Sequence, residues 1–483
     1  MSNNAKVKVR FAPSPTGHLH IGGARTALFN YLYAKRMGGS FLLRIEDTDL
    51  ERSTVECEKV IIDGLKWFGI NWDEGIEVGG DEGPYRSTER IDIYKPYIER
   101  LLNNGDAYYC YCTQEELEAE RQELMAKGEM PRYLGQCRNL APEQKRKYEQ
   151  EGRKPTIRFK VPEGKVIKVN DIVRDTVEFE SDGIGDFIIV KSDGIPVYNF
   201  AVVIDDYLMK ITHVIRGEEH LSNTPRQILI YEALGINVPA FAHVSLILGK
   251  DRTKMSKRHG STWVEQYIDA GYLPEALINF LVLMGWSPGE EREIFSMEEL
   301  EQRFSLERVS KNPAVFDIDK LNWMNGQYIK NTPVERITQL AIPHLIKAGF
   351  IKENEKVDLE WLEKVVGIVQ GELSFVGEIP EKAAIFFDDN VEPKDIEAEE
   401  VMKMEHVPEL VKAFKNKVSS VQTIDDEFAK GVFKEIQNQT GIKGKNLYMP
   451  IRVALTGQVH GPEIVEILKI LGREKLIKRL SKH

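Results

Sequence analysis

Cysteine is rare in this 483-residue chain, with four residues at positions 57, 110, 112 and 137. So few cannot staple a chain of this length, which excludes a disulfide-framework protein. Long apolar runs are missing as well. The longest, residues 277–286, falls well short of the ~20 residues a membrane-crossing helix needs. Positive charge is in deficit, with 65 Lys and Arg against 76 Asp and Glu, a net charge of −11. That balance excludes a generally basic nucleic-acid coat protein, although an enzyme can still hold nucleic acid through local patches. No internal repeat and no low-complexity tract is visible. Residues 1–6 contain no apolar h-region, so no secretory signal is read there, and the expectation is a cytoplasmic chain with reduced thiols.

Composition is otherwise that of an ordinary globular protein, 42% hydrophobic and 29% charged. The length predicts about three domains, because one core rarely grows past ~250 residues. Charge is unevenly spread. Residues 378–405 hold ten acids against three lysines, a solvated face, and residues 440–483 hold nine Lys and Arg against three acids.

Alternation and β-branching predict a strand over 6–12, ended by Pro13 and Pro15. Apolar residues at helical spacing (Ala24, Leu28, Tyr31, Leu32) predict a helix over 21–37, stopped by Gly38 and Gly39. A strand over 41–46 and a helix over 56–68 follow. This is a parallel βαβ unit opening a doubly wound sheet, whose ligands sit beyond the carboxyl ends of the strands. The stretch from about 91 to 190 is charged, carries three of the four cysteines, and reads as an insertion with strands over 156–161, 165–170 and 176–181. The sheet pattern resumes over 187–190, 198–204 and 213–216, with a helix over 224–234 and a polar loop over 250–260. Beyond Pro274 the helical period dominates.

Two short stretches carry the chemistry. In Pro13-Ser14-Pro15-Thr16-Gly17-His18-Leu19-His20-Ile21-Gly22-Gly23, prolines and glycine shape a tight turn that feeds a helix N-terminus. Free backbone N–H groups and the helix dipole favour phosphate there. His20 can donate to a phosphate oxygen, and Gly22 leaves room for a nucleotide. Taken alone, the segment is equally a plain strand–helix turn with two surface histidines. In Lys254-Met255-Ser256-Lys257-Arg258, the lysines can neutralise charge developing on a pentacoordinate phosphate. Taken alone, this is an ordinary solvated basic loop.

Together and in this order, the two stretches resemble the HIGH and KMSKS signatures of class I aminoacyl-tRNA synthetases. The resemblance narrows to bacterial glutamyl-tRNA synthetases on residues 11–35 (FAPSPTGHLHIGGARTALFNYLYAK), 43–49 (LRIEDTD), 83–87 (GPYRS), 191–206 (KSDGIPVYNFAVVIDD), 212–219 (THVIRGEE) and 315–328 (VFDIDKLNWMNGQY). Gly23 stands where other class I enzymes place a second histidine, itself the glutamyl-type form.

The resemblance implies an α/β fold. It consists of a doubly wound parallel, Rossmann-type catalytic sheet split by an inserted domain and followed by a mostly α-helical C-terminal anticodon-binding region. The implied boundaries are 1–90 and 190–250 for the catalytic halves and 91–189 for the acceptor-end insertion. Residues 251–330 would hold the KMSKS loop and stem-contact region, and 331–483 the helical tail. By the same resemblance, Arg10, Ser14, Glu46, Tyr198 and Arg216 bind glutamate. Arginine forks suit its carboxylates and Glu46 its ammonium. Thr16, His20, Gly22, Lys254 and Lys257 serve ATP, with His20, Lys254 and Lys257 catalytic. Magnesium would accompany ATP, held largely by phosphates and water.

The implied reaction forms glutamyl-adenylate and transfers glutamate to the 3′ end of tRNA(Glu), with tRNA(Gln) a further candidate. A monomer without membrane attachment is implied. The basic tail end suits phosphate contacts, so tRNA binding should weaken with salt. No arginine occurs between Trp361 and Ala384, where strict enzymes of the family place an anticodon-reading arginine, and this leans toward relaxed tRNA choice.

Cys110, Cys112 and Cys137 have the spacing of the family's zinc knuckle, with Asn139 where the fourth ligand stands. An amide is a poor zinc ligand, which favours a metal-free relic. The rivals are a glutaminyl-tRNA synthetase, a tail-less enzyme that glutamylates a tRNA base, a non-catalytic tRNA-binding paralogue and a free-standing nucleotidyltransferase. Gly23, the helical tail, the intact signatures and the length after the cationic loop argue against them in turn.

Overall fold

Val9, Phe41, Leu42 and Leu43 are wholly shielded from solvent and mark the centre of the first sheet. They lie on β1 (Lys8–Phe11) and β2 (Ser40–Leu43), paired in parallel with Val9 opposite Phe41. The crossover is α1 (Ile21–Arg36). The chain turns back into β2 through Gly39, where any Cβ would collide with the Val7 carbonyl. Next come α2 (Val55–Trp67), capped by Thr54, and β3 (Glu74–Gly75), parallel to β2. The computed structural model describes residues 6–256, 258, 260–354, 356–388 and 391–483. It divides into one unit of Met1–Tyr267 with Pro274–Ile318, and another of Ile268–Leu273 with Asp319–His483.

Within the first unit, α3 (Ile91–Asn104), β4 (Ala107–Cys110), α4 (Gln114–Ala126), α5 (Pro142–Gln150) and β5 (Thr156–Phe159) lead to the hairpin β6 (Val166–Asp171) and β7 (Asp175–Glu180), then β8 (Phe187–Val190). Strands β4, β5 and β8 form an antiparallel sheet of their own. The hairpin goes elsewhere. After α6 (Tyr198–Leu208), β9 (His213–Gly217), α7 (Thr224–Ala233) and β10 (Ala240–Val244), β6 lies parallel to β10, with Asp171 opposite Phe241. Strand β9 pairs in parallel with β10, and Thr212 N–H donates to Lys8 O at 2.9 Å, bringing β9 beside β1. The layers therefore run β3-β2-β1-β9-β10-β6-β7. The α/β, Rossmann-type reading is borne out, and two strands from the stretch read as an insertion extend the catalytic sheet.

One expected strand is a helix. Residues 198–204 form the first two turns of α6, in which Phe200, Ala201, Val202, Val203 and Ile204 are all buried. A short helix covered on every side loses its polar stripe, and a continuous apolar run cannot then be told from a strand by periodicity.

Strand β11 (Ile247–Leu248), α8 (Val264–Ala270), α9 (Pro274–Leu283), α10 (Met297–Arg303) and β12 (Ala314–Val315) follow. Helix α1 packs on β1, β2 and β9 on one side and on α9 and α10 on the other, which explains why eleven of its sixteen residues are buried. Strand β11 pairs in parallel with β12.

The second unit is helical as expected: α11 (Ile318–Asn331), α12 (Val334–Lys347), α13 (Leu359–Val369), α14 (Ile379–Phe387), α15 (Ile396–Met402), α16 (Val407–Ser419), α17 (Asp426–Thr440), α18 (Lys445–Thr456) and α19 (Ile464–Leu480). Phe414 of α16 meets Phe433 of α17 at 5.3 Å between ring centres. The basic tail end is less available than its count suggests. Arg479 is buried and donates to the carbonyls of Leu455, Ile385 (2.7 Å) and Asp388 (2.6 Å). Arg452 donates to Pro462 O at 2.6 Å, and Lys469 pairs with Asp426 at 2.8 Å. These three of the nine cations build the unit itself. Among the described residues no helix is long and apolar enough to cross a membrane.

Candidate active site

The carboxyl ends of β1, β2 and β9 open on a cavity of about 430 Å³ lined by Arg10, Ser14, His20, Glu46, Tyr198 and Arg216, among others. Five of these were assigned to glutamate from sequence, and one fold brings them together. A second cavity of about 250 Å³ is lined by His20, Gly22, Thr26, Lys254 and Met255. The two signature stretches thus meet at His20 and Gly22, which line both cavities. Thr16 is exposed and lines neither; its N–H donates to Ser14 O at 2.9 Å, within the turn. Lys257 lies outside the described residues.

His20 is the N-cap of α1. Its Nδ1 accepts from Gly22 N–H at 3.1 Å, so the neutral ring carries its proton on Nε2. Burial lowers its pKa, and the Lys254 ammonium lowers it further, which keeps the ring neutral and Nε2–H a donor. The chain beyond the cationic loop returns to this turn. Thr262 O accepts from Ile21 N–H and Leu19 O from Val264 N–H, both at 3.0 Å, and Trp263 stands edge-on to His20 at 5.4 Å. A Cβ at Gly22 would lie in contact with His20 Nδ1, at 3.4 Å.

Behind the larger cavity lies a buried charge network that sequence reading did not find. Asp206 accepts from Arg10 Nε at 3.2 Å and from Arg44 at 3.0 Å, and Arg44 also donates to Glu46 at 3.0 Å. Asp205 accepts from Arg90 at 2.6 Å and from Tyr94 OH at 2.9 Å. Arg44 is wholly buried. Burial works against the Asp206 charge, yet Arg10 and Arg44 hold its carboxyl below the usual range. Burial raises Glu46, with Arg44 and Arg10 pulling it back. One signal was available in the sequence. Arg44 and Glu46 are two apart in extended chain and so share a face. The Asp205-Asp206 pair was hidden by the strand assignment given to α6.

Arg216 is held differently. It is 5% exposed, and its donors go to His243 Nε2 (3.1 Å), Tyr198 OH (3.2 Å), Thr224 Oγ1 (2.9 Å) and Gln227 Oε1 (2.9 Å). All four partners are neutral acceptors, and among the described residues no carboxylate forms an ion pair with it. Gln227 Nε2 donates to Asn199 at 3.0 Å, which fixes the amide with its oxygen toward Arg216. A buried, charged fork without a counter-ion at the wall of a cavity fits an anionic ligand.

Tyr198 OH lies within hydrogen-bond distance of His220 Nδ1, at 3.3 Å, while accepting from Arg216. Burial, with the Arg216 and Arg10 cations, pushes His220 down to about 4 from the usual 6.5. The unfolded chain binds this proton near pH 6.5 and the folded chain only near 4. The stability that neutral His220 confers is therefore complete above 6.5 and lost as pH falls toward 4. His220→Gln is expected to flatten the dependence of melting temperature on pH between 6.5 and 4, by an amount on the order of 3 kcal/mol across the window. Parallel curves for the two proteins would remove His220 from this role.

The sulfur atoms of Cys110, Cys112 and Cys137 lie within 4.8 Å of one another. Tyr133 OH brings an oxygen to them, 3.5 Å from Cys110 Sγ and 3.6 Å from Cys112 Sγ. Three thiols and a phenol oxygen are a four-donor set that suits a thiophilic ion better than three thiols and an amide do.

Comparison with known proteins agrees with this geometry. The family model described as tRNA synthetases class I (E and Q), catalytic domain, matches residues 6–323, and an anticodon binding domain matches residues 336–483. The chain belongs to this synthetase family. Glutamate–tRNA ligase 1 of Caldicellulosiruptor saccharolyticus is 67% identical over 477 residues, covering 99% of this chain and 98% of the relative. Glutamate–tRNA ligase of Bacillus subtilis is 52% identical over 479 residues, 99% of each. The crystal structure of a glutamate tRNA ligase from Elizabethkingia meningosepticum, in complex with its amino acid, superposes with a TM-score of 0.90 at 36% identity, covering 99% of each chain.

Proposed function

We propose that this chain is a glutamate–tRNA ligase that activates L-glutamate with ATP, carried as its magnesium complex, and transfers the glutamyl group to the 3′ end of tRNA(Glu). The same reading takes it as a cytoplasmic monomer that also accepts tRNA(Gln). The near-full-length relatives of that name support the first part. The observation that carries the substrate is Arg216, a buried guanidinium held only by neutral acceptors on the wall of the larger cavity.

In this reading Arg216, with Tyr198, takes a carboxylate of glutamate, Arg10 and Ser14 complete the pocket, and Glu46 receives the ammonium. The α-carboxylate oxygen attacks the α-phosphorus of ATP, the α–β bridging bond breaks, and pyrophosphate leaves. Charge builds on the phosphoryl oxygens in that step, where His20 Nε2–H, the N-terminus of α1, Lys254 and Lys257 stabilise it. A hydroxyl of the terminal tRNA adenosine then attacks the acyl carbon, and AMP leaves. Residues 91–189, apart from the β6–β7 hairpin that joins the catalytic sheet, are taken to hold the acceptor end, 251–330 the stem and 331–483 the anticodon.

The test is aminoacylation with radiolabelled glutamate and ATP, with purified tRNA(Glu) and tRNA(Gln) in separate reactions. Charging of both is expected. Charging of tRNA(Glu) alone would overturn the relaxed choice, and charging of neither, beside an active control enzyme, would overturn the activity.

A further inference from the structure

Behind Arg216 stands a pair with no contact to the cavity. His243, on β10, and Asp171, at the end of β6, are both 0% exposed in their side chains, with Nδ1 and Oδ2 2.6 Å apart. Arg216 Nε–H is always a donor. Since it meets His243 Nε2 at 3.1 Å, that nitrogen must be the acceptor, and the ring proton must sit on Nδ1, where it donates to Asp171. Asp171 is itself fixed by the N–H groups of Val173 (2.9 Å), Arg174 (2.8 Å) and His243 (3.0 Å). Burial keeps His243 below its usual range and so neutral. Burial opposes the Asp171 charge, but His243 and these backbone donors hold its carboxyl below its usual range.

We infer that Asp171 and His243 are positioning residues that fix the fork of Arg216, and through it the choice of glutamate over glutamine. Asp171 sets the tautomer of His243, and His243 supplies the acceptor that aims the guanidinium without neutralising it. A carboxylate at position 243 would compete with the substrate for the same charge, whereas a neutral imidazole orients Arg216 and leaves its charge for the ligand. The inference rests on the reading of Arg216 as the anchor of glutamate's side-chain carboxylate, the one group in which glutamine differs. It also gives a role to the β6–β7 hairpin, which brings Asp171 into the catalytic sheet beside β10.

The experiment compares steady-state aminoacylation by Asp171→Asn, His243→Phe and His243→Gln, with KM for glutamate and ATP, selectivity against glutamine, and melting temperature measured for each. In Asp171→Asn the amide nitrogen faces Nδ1, the ring proton moves to Nε2, and a donor then opposes Arg216 Nε–H. The expected result is a rise in glutamate KM of roughly tenfold to a hundredfold with ATP KM changed less than about twofold, and weaker rejection of glutamine. His243→Phe behaves alike. His243→Gln, whose amide oxygen can still accept from Arg216, stays within a few-fold of wild type.

Equal rises in both KM values, an unchanged glutamate KM in Asp171→Asn, or a His243→Gln variant as impaired as His243→Phe would overturn the inference. Failure of the underlying reading looks different: Arg216→Ala would then leave glutamate KM unchanged.

Discussion

Arg216→Ala is expected to lower kcat/KM for glutamate by about 10²–10³-fold, the equivalent of roughly 3–4 kcal/mol for a buried, charge-assisted contact. The loss should fall on glutamate and leave ATP nearly untouched, because Arg216 lines the larger cavity and not the one shared by His20 and Lys254. Arg216→Lys should not restore activity. Four separate acceptors hold a planar fork, and an ammonium cannot satisfy His243, Tyr198, Thr224 and Gln227 while also meeting a carboxylate. The companion measurement is stability without ligand. Removing a buried cation that has no counter-ion should leave the unliganded protein as stable as before, or more so. An Arg216→Ala protein that melts far below wild type in the absence of glutamate would mean that the residue is structural.

Asp206→Asn should behave in the opposite way. Asp206 is 3% exposed and sits between two buried guanidinium groups, Arg10 and Arg44. Neutralising it leaves three buried arginines (10, 44 and 90) facing only Glu46 and Asp205. Breaking one partner of such a network costs about 3–5 kcal/mol, since the remaining charge is left in a poor solvent. The expected result is a large drop in the unfolding midpoint of the unit that contains β1, together with a raised glutamate KM as Arg10 loses its anchor. Asp206→Ala should cost more, because the amide oxygen of asparagine can still accept one hydrogen bond. A loss below about 1 kcal/mol would mean that solvent or Glu46 compensates and that the network is not a unit. The pair of variants separates two uses of buried arginine: one held by a carboxylate to build the wall, the other held by neutral atoms to meet a ligand.

The legible part of the chain followed from local signals. The strand–turn–helix start carries its own punctuation in Pro13, Pro15, Gly38 and Gly39, and the observed α1 departs from the expected helix by a single residue. The meeting of His20 with Lys254 was readable only through resemblance, since nothing local ties residues so far apart. The missed parts have a common cause. Asp205, Asp206, Asp171 and His243 act from inside the fold, where a charged residue next to apolar ones looks like a strand edge or a surface turn. Residues 198–204 lost their helical stripe to burial on all sides, and the two acids that follow were misplaced with them. The hairpin β6–β7 was read correctly as two strands, but a sequence does not say which sheet a hairpin joins. Tyr133 escaped because a phenol four residues before Cys137 carries no sign of the contacts its hydroxyl makes with the cysteine sulfurs.

Arg479 closes the helical unit from nearly its last turn. Its guanidinium reaches the carbonyls of Leu455, Ile385 and Asp388, at the carboxyl ends of α18 and α14. Helix ends leave such carbonyls without partners inside the helix, and here one side chain on α19 serves both. During synthesis the parts of the larger cavity are all made by residue 223 and those of the smaller by residue 255. The catalytic unit has its full sequence by Ile318 and can fold while the rest is still being made. In the helical unit, the side chain that bridges α14 and α18 comes almost a hundred positions after the start of α14. Along the chain, therefore, every residue of the two cavities precedes the one side chain that ties the carboxyl ends of α14 and α18 together.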